Sequence, residues 1–578
     1  MVLLTHLVAL AFAALTCATT CTAPTVIDTQ KRITYRGLRR NGLDVFLNIP
    51  YGQDTGGLNR FKPPRPKILP PGSVVDASAN GPACPQALGG WVVPLSLSNV
   101  TAISEDCLHL NVVRPKGTPA QAGLPVMVFI HGGSFWTGQN QEITISPNGM
   151  ILESIENGKP AIHVAMNYRL GLFGFAQSDA LRAEVSENAG LRDQRLAIEW
   201  VRDNIKHFGG DPRRITIFGQ SSGGLSVGLQ IMAYGAKKPV PFQQGICQSQ
   251  ALEPGITGNF TIDAMKAVVD YVDCNSTSLH SQETVDCLRS LDLDKLLNAS
   301  LTTYKNDIAH NIGDIWLPSV DGDFLPDAPS RLIRDGHFAN VTTMMGWCED
   351  DVTFFTDTNI TTAEDARRFL SSYVPGLREQ DIDSLLALYP PDEFEERQAI
   401  GLSGQFFRTA RIFRDIIMTC PPIWYSKYLS SKGNSAYLYD WNQTILDPIL
   451  TQTTNRSGFG PIHTSEFAYI FGNLSHYNTS GYPFHPTPSD YDLKLRGSRS
   501  WTTFAASGKP GMKDAHTFQG VRPAYSMDNS TYLFVMGGPY EGASALRGPD
   551  SHDSIARQKL VERCSFINSP GIIERLGF

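Results

Sequence analysis

The stretch "RITIFGQSSGG", residues 214–224, places a serine among glycines directly after an apolar, β-branched run. Its G-x-S-x-G pattern sets Ser221 between Gly219 and Gly223. In a nucleophile elbow, a strand turns so sharply into a helix that the serine adopts a strained backbone, and small flanking residues avoid a collision. A strand followed by an ordinary flexible turn produces the same short pattern. The motif alone therefore leaves both interpretations open.

The sequence on the N-terminal side favours the elbow. Two further apolar runs, "LPVMVFIHGG" (124–133) and "KPAIHVAMNYRLG" (159–171), resemble "RITIFG" and are typical of strands buried on both faces of a parallel sheet. Residues 188–212 have helical spacing of apolar residues and end at Gly-Gly-Asp-Pro. Strand, helix and strand in this order predict a βαβ unit. Ser221 then lies at the carboxyl end of a strand, where open α/β sheets hold their active sites.

The rest of the chain extends the same sheet. Residues 342–347 and 435–441 are candidates for later strands. The region around 255–435 loses the sheet pattern and becomes helical and polar, which predicts a substrate-shaping insertion rather than a separate domain, since no linker bounds it. We therefore predict a single domain over residues 19–578.

A serine hydroxyl needs a base, an orienting acid and a site for the oxyanion. "HGGSF" (131–135) follows a buried strand, and its backbone N–H groups can hold an oxyanion together with the N–H of Ser222. For the base, "GFGPIHTSEFAYIFG" (458–472) presents His463 on what we expect to be an exposed loop. An ordinary strand-ending turn and a surface histidine are the respective alternatives.

The acid is expected between the serine and the histidine along the chain. "MGWCEDDVTFF" (345–355) holds three carboxylates after a strand-like run. An acidic cluster is often only a solvated face, and the pattern does not distinguish among Glu349, Asp350 and Asp351.

Several blocks, in this order, resemble the type-B carboxylesterase/lipase family, which includes cholinesterases and fungal lipases. They are "SEDCLHLNVVRP" (104–115), "VFIHGGSF" (128–135), "NYRLGLFGF" (167–175), the run from 188 to 224, "GPIHTSEFAYIFG" (460–472) and "SWTTFAASGKP" (500–510). The resemblance covers nearly the whole chain after the leader. It implies an α/β-hydrolase fold with a central, mostly parallel sheet and large helical insertions.

The resemblance also implies a role for each matching residue. Ser221 takes the position of the nucleophile, His463 that of the base, and Asp351 that of the family's glutamate in an Asp-Glu-Gly segment. The oxyanion donors fall on the backbone of Gly133, Ser134 and Ser222. The implied activity is carboxylic ester hydrolysis through an acyl-enzyme, on a small-molecule or lipid ester, with no cofactor or metal.

Four positions depart from the family pattern. The glutamate usually found before the nucleophile is Gln220, the alanine after it is Ser222, and the third glycine of the oxyanion loop is Ser134. The acid is an aspartate, Asp351, one methylene shorter than glutamate, and Val352 replaces the following glycine. Both serine changes keep a backbone donor, whereas the changes at the acid alter the length of its side chain and the residue after it.

Composition and the N-terminus indicate the compartment. A net charge of −7 offers no basic surface for nucleic acid, and no Cys/His spacing indicates zinc. The apolar run from Val2 to Leu15 is too short to cross a bilayer, and it predicts a signal peptide over residues 1–18 although no Lys or Arg precedes it. No later stretch is long and apolar enough to predict an integral membrane segment.

Sequons and cysteines agree with secretion. Cys84 with Cys107, and Cys274 with Cys287, bracket short loops rich in Gly, Pro, Ser or Asn, which predicts two disulfides; Cys420 and Cys564 could form a third. Eleven N-x-S/T sequons predict a glycosylated surface, and they lie at Asn99, Asn259, Asn275, Asn298, Asn340, Asn359, Asn442, Asn455, Asn473, Asn478 and Asn529.

Two other functions stay open at this point. An acyltransferase or lactonase could use the same triad with an alcohol or an internal hydroxyl in place of water. A catalytically inactive relative could use the fold only for binding, although such proteins typically lack the serine or the histidine, and both are present here.

Overall fold

The computed structural model describes residues 23–90, 93–311, 315–397, 400–455, 457–479, 481–513, 515–525 and 530–578. The predicted signal peptide, residues 1–18, and the sequon at Asn529 lie outside the described residues.

In the described residues, fourteen strands form two sheets. They are β1 (Thr25–Asp28), β2 (Ile33–Arg36), β3 (Leu38–Arg40), β4 (Leu43–Pro50), β5 (Val74–Asp76), β6 (His109–Pro115), β7 (Leu124–Ile130), β8 (Ile162–Met166), β9 (Gly210–Gln220), β10 (Gln244–Gln248), β11 (Thr342–Cys348), β12 (Ala436–Trp441), β13 (Tyr532–Met536) and β14 (Gly542–Ala545).

The α-helices of the described residues flank and cover the larger sheet. They are α1 (Asn148–Glu156), α2 (Gly171–Phe175), α3 (Asp179–Ala183), α4 (Ala189–Asn204), α5 (Ser222–Met232), α6 (Phe260–Tyr271), α7 (Gln282–Ser290), α8 (Leu293–Asn311), α9 (Pro329–Asp335), α10 (Ala363–Tyr373), α11 (Glu379–Leu388), α12 (Gly404–Arg414), α13 (Cys420–Ser431), α14 (Asp447–Thr454), α15 (Phe467–Ile470), α16 (Leu474–Thr479), α17 (Pro488–Ser507), α18 (Asp553–Ala556), α19 (Leu560–Ile567) and α20 (Pro570–Leu576).

The larger sheet has eleven strands in the order β14-β13-β12-β11-β10-β9-β7-β8-β6-β4-β3. Its centre, from β13 to β8, is parallel throughout, and antiparallel strands close both ends. The smaller sheet is β1-β2-β5. The prediction of an α/β fold with a central, mostly parallel sheet is confirmed, and the runs at 342–347 and 435–441 are two of its strands.

The continuous apolar runs of the central strands are explained by burial on both faces. In β7, Val126, Val128 and Ile130 pack into one core, and Met127 and Phe129 pack into the core on the opposite face. Because successive side chains of a strand point to opposite faces, a strand covered by helices on both sides must be apolar at every position. This arrangement directs the carboxyl end of β9 to the edge of the sheet where the elbow forms.

The predicted insertion over 255–435 needs a correction. The strand β11 lies inside that range and pairs with β10 on one side and β12 on the other, in the middle of the sheet. The range is therefore two helical segments, α6–α9 and α10–α13, separated by a core strand. This strand is the run at 342–347 that the sequence itself predicts, so part of the sheet interrupts the insertion.

Among the cysteines that the structure describes, three disulfides join Cys84 to Cys107, Cys274 to Cys287 and Cys420 to Cys564. Cys247 and Cys348 are free and buried. In the described part of the chain, no helix combines the length and the apolar character needed to cross a membrane.

The sequons differ in exposure. Asn473 is only 4% exposed, and its side-chain amide donates a hydrogen bond to the backbone carbonyl of Ser146. A glycan on that nitrogen would have to displace this packing, and glycosylation at Asn473 stays a prediction. Asn442 is half-buried and its amide donates to Glu349. The remaining described sequon asparagines are exposed, at Asn99, Asn259, Asn275, Asn298, Asn340, Asn359, Asn455 and Asn478.

Candidate active site

The elbow has the strained geometry that the sequence predicts. Ser221 joins β9 to α5 with φ +59° and ψ −133°, and its N–H donates to the carbonyl of Gln248 on the neighbouring strand at 2.9 Å. A Cβ on Gly223 would lie 2.1 Å from the carbonyl oxygen of Ile130. Only glycine fits there, because helix α5 begins directly against strand β7. The strain is held in place by the packing around it.

The structure brings His463 and Asp351 together although 112 residues separate them. His463 Nδ1 lies 2.5 Å from Asp351 Oδ1. The other carboxylate oxygen of Asp351 accepts from the N–H of Cys348 at 2.9 Å, and its carbonyl accepts from the N–H of His463 at 3.0 Å. These bonds fix the carboxylate against the imidazole, as an orienting acid requires.

His463 is not on an exposed loop, which corrects the expectation from the sequence. It is 3% exposed, and the ring of Phe355 packs edge-on against it at 5.4 Å between centroids. The backbone of its loop is bound to the acid's loop, since the N–H of Asp350 donates to the carbonyl of Pro461 at 3.1 Å. Glycines in a sequence reveal that a loop can turn, but not which element covers it.

The other two carboxylates of the cluster differ in exposure, since Glu349 is buried and Asp350 is half-buried. Glu349 is buried and pairs with Arg557, while Arg411 lies 3.6 Å from Asp350. Burial, together with the neighbouring charge of Glu349, raises the pKa of Asp350 to about 6. Of the three carboxylates, only Asp351 faces the histidine, and its neighbours belong to a charge network with Arg411 and Arg557.

The surroundings of Asp440, a buried carboxylate near Glu349, predict a pH-dependent stability. Its Oδ2 accepts from Gln558 at 2.9 Å, and burial with the charge of Glu349 raises its pKa to about 7. Between about pH 4 and pH 7 the folded chain holds a proton that the unfolded chain has lost, so this group lowers the free energy of unfolding as pH rises. In thermal melts, we expect the Tm difference, Asp440→Asn minus wild type, to be larger at pH 8 than at pH 5. A constant Tm difference across this range would contradict the interpretation.

The predicted oxyanion loop, residues 131–135, lies beside the elbow. Gly133 and Ser134 both adopt positive φ, +111° and +52°, and a Cβ on Gly132 would lie 3.0 Å from Ser221 Cβ. Within the described ranges, the backbone N–H groups of Gly133, Ser134 and Ser222 donate no hydrogen bond. Such unpaired donors beside the serine match the requirement for an oxyanion site.

Ser222 connects the elbow to that loop. Its hydroxyl accepts the N–H of Phe135 at 3.3 Å. We expect Ser222→Ala to lower kcat about fivefold, because one neutral hydrogen bond holding the donors in place contributes about 1 kcal/mol. Steady-state kinetics on a p-nitrophenyl ester measure the effect. An unchanged kcat would show that the loop keeps its geometry without the hydroxyl.

The sequence did not predict which group contacts Nε2 of the histidine. Gln220 Nε2 lies 2.9 Å from His463 Nε2. Within the described residues, Ser221 Oγ makes no hydrogen bond. Hydrogen bonds between nucleophile and base are often absent before substrate binds. The only signal in the sequence was the departure of Gln220 from the family's glutamate.

Glu466 is a second group that the sequence did not single out. It is 1% exposed and accepts from Gln248 Nε2 at 3.1 Å and from Cys348 Sγ at 3.2 Å. Burial first, and then the charge of Asp351, raises the pKa of its carboxyl group. A buried acid is thus placed behind the pair formed by Asp351 and His463.

A cavity of about 70 Å³ opens at Ser221 and His463. Glu142 lines it, and so does part of the segment between Cys84 and Cys107. The apolar part of its wall is formed by Leu95, Val100, Phe129, Ile145 and Phe467. In the part of the chain that the structure describes, no group of three or more His, Cys, Asp and Glu side chains is arranged to hold a metal ion.

Comparison with known proteins finds related sequences and a related structure. A secreted lipase of Arthroderma benhamiae is 53% identical over 98% of both chains. The inactive carboxylesterase-like protein VdtD of Byssochlamys spectabilis is 36% identical over 94% of both. The crystal structure of Aspergillus niger EstA superimposes with a TM-score of 0.76 and 23% identity, covering 96% of this chain and 99% of the other, which shows the shared fold.

The family model described as the carboxylesterase family matches residues 31–536. That range includes the elbow, the oxyanion loop and the loops of Asp351 and His463. With the sheet order, the strained serine and these relatives, the match places the chain in the carboxylesterase family.

Proposed function

We propose that this protein is a secreted serine hydrolase that cleaves carboxylic esters through an acyl-enzyme. The observation that carries the proposal is the strained Ser221 beside a buried histidine whose Nδ1 lies 2.5 Å from a carboxylate. Burying a pair of this kind costs free energy. Its presence is explained if the imidazole has to be oriented and its positive charge stabilised.

The reaction follows from the positions of these groups. Ser221 Oγ attacks the ester carbonyl while His463 Nε2 takes its proton, and Asp351 stabilises the imidazolium through Nδ1. The carbonyl oxygen becomes an oxyanion, which the N–H groups of Gly133, Ser134 and Ser222 hold. The imidazolium then protonates the leaving alcohol, and water repeats the attack on the acyl-enzyme to release the acid.

The substrate class is supported by the wall of the cavity and by the relatives. Leu95, Val100, Phe129, Ile145 and Phe467 give the site an apolar wall that suits the hydrocarbon part of an ester. The relative at 53% identity is named a secreted lipase. A panel of p-nitrophenyl esters of graded chain length would define the acyl preference.

Covalent labelling tests the proposal most directly. An organophosphonate should react with one equivalent of the protein, abolish esterase activity, and be found on the peptide that holds Ser221 by mass spectrometry. Labelling at another serine would overturn the assignment. The absence of both labelling and hydrolysis in a folded sample would favour the inactive alternative, for which VdtD is a named precedent at 36% identity.

Two observations favour an active enzyme over an inactive one. The serine, the histidine and the acid are all present, and the acid and the base are in contact. Transfer to an alcohol uses the same groups as hydrolysis, so an assay in which alcohols compete with water would separate an acyltransferase from a hydrolase.

Secretion is proposed from features that agree with one another. Three disulfides are stable in an oxidising compartment, and eight of the sequon asparagines are exposed. The similarity to a secreted lipase supports the same compartment.

A further inference from the structure

Gln220 contacts the base and directly precedes the nucleophile in the chain. It is the last residue of β9, directly before Ser221, and its side chain is buried. Its amide nitrogen lies 2.9 Å from Nε2 of His463, on the opposite side of the imidazole from Asp351. The imidazole is therefore held by a hydrogen bond at each ring nitrogen.

The chemistry of the partners determines where the protons lie. An ionised carboxylate accepts only, so Asp351 requires the proton on Nδ1. Nε2 of the neutral ring then has one lone pair, and the amide N–H of Gln220 donates to it. Because that lone pair accepts a single good hydrogen bond, the contact with Gln220 excludes Ser221 Oγ for as long as it lasts.

We propose that Gln220 is a positioning residue that holds His463 as the neutral base before substrate binds, and that it gives way to Ser221 in the reactive complex. The inference rests on the proposed function and deepens it. A donor aimed at Nε2 favours the unprotonated ring and opposes the imidazolium, which has a hydrogen on both nitrogens. His463 is thereby kept able to accept the proton of Ser221 at a lower pH than a carboxylate at position 220 would allow.

Three acidic residues adjoin the site where Gln220 contacts His463. Asp351 faces Nδ1 from the loop after β11, and Glu466 acts on the ring from the turn that follows His463. Glu142 lines the same cavity. Within the described residues, no cation pairs with the imidazole. Gln220 is the uncharged group in contact with Nε2.

The test uses two substitutions of similar size. Gln220→Met keeps the shape and removes the donor, whereas Gln220→Glu replaces the donor by a charge. The second-order rate constant for organophosphonate labelling is measured from pH 5 to pH 9, since it requires no knowledge of the natural substrate. We expect the midpoint of the acid limb to rise in the order wild type, Gln220→Met, Gln220→Glu. The midpoint of Gln220→Glu should lie at least about one pH unit above that of wild type, which corresponds to a tenfold lower labelling rate on that limb.

Gln139→Glu is the matched control, because Gln139 lines the same cavity and its amide donates to the backbone of Asn99 rather than to the histidine. Its acid-limb midpoint should move less than that of Gln220→Glu. Equal midpoints in wild type, Gln220→Met and Gln220→Glu would overturn the inference about Gln220. A wild-type protein that is folded but not labelled at any pH would instead overturn the proposed function. If Gln220→Glu does not fold, the acid-limb midpoints of wild type and Gln220→Met are compared: a higher midpoint in Gln220→Met supports the inference, and equal midpoints overturn it.

Discussion

Ser221→Ala is expected to lower kcat for p-nitrophenyl esters by about 10⁶-fold, with the fold intact. The side chain forms no hydrogen bond in the described structure, and the elbow is fixed by the backbone bond from Ser221 to Gln248, which alanine retains. The loss is therefore one of chemistry rather than of stability. Steady-state kinetics with a thermal melt of the same sample separate the two.

Ser226→Ala is a suitable control, since Ser226 is a buried serine one turn further along α5. Its hydroxyl donates to the carbonyl of Ser222 and has no contact with the histidine. We expect a small change in Tm and nearly unchanged kcat. Substantial esterase activity in Ser221→Ala would mean that another group attacks the ester.

Asp351→Asn is expected to lower kcat by about 10⁴-fold. An amide in this position can donate to Nδ1, which favours the tautomer with its proton on Nε2 and leaves no lone pair to accept the proton of Ser221. Asp351→Glu should also lower kcat, because the 2.5 Å contact and the bond from the N–H of Cys348 leave no room for another methylene without moving the imidazole. Kinetics and melts are compared for both variants.

The neighbouring carboxylates provide the controls for this prediction. Asp350→Asn and Glu349→Gln should cost far less in kcat, since these side chains face Arg411 and Arg557 rather than the histidine. Their effect should be seen mainly in Tm, because they disturb partly buried ion pairs. If Asp350→Asn were the substitution that abolishes turnover, the acid would have been assigned one residue out of register.

The sequence predicted the fold well where a local pattern has a single physical cause. Continuous apolarity from 124 to 130 requires burial on both faces, and the glycine at 223 is required by the approach of α5 to β7. These requirements can be read from neighbouring residues. The strand order could be anticipated only in outline, because it depends on pairing between distant segments.

What the sequence did not predict is the result of contacts between distant segments. The burial of His463 depends on Phe355, more than a hundred residues earlier, and that of Asn473 depends on its bond to Ser146. The contact between Gln220 and His463 is of the same kind. A residue's type reveals what it can bond, but only the fold determines which partner is within reach.

The disulfide between Cys420 and Cys564 has a consequence for the response of the protein to proteases. It closes a loop across a sequence separation of 144 residues, and His463 lies within that loop. A single cut anywhere between the two cysteines leaves two fragments that stay covalently joined, so the base remains linked to the fragment that holds Ser221. Nicked protein would migrate as one band without reductant and as two with it. When the cut lies between Cys420 and His463, the histidine would be free to separate from the serine only after reduction.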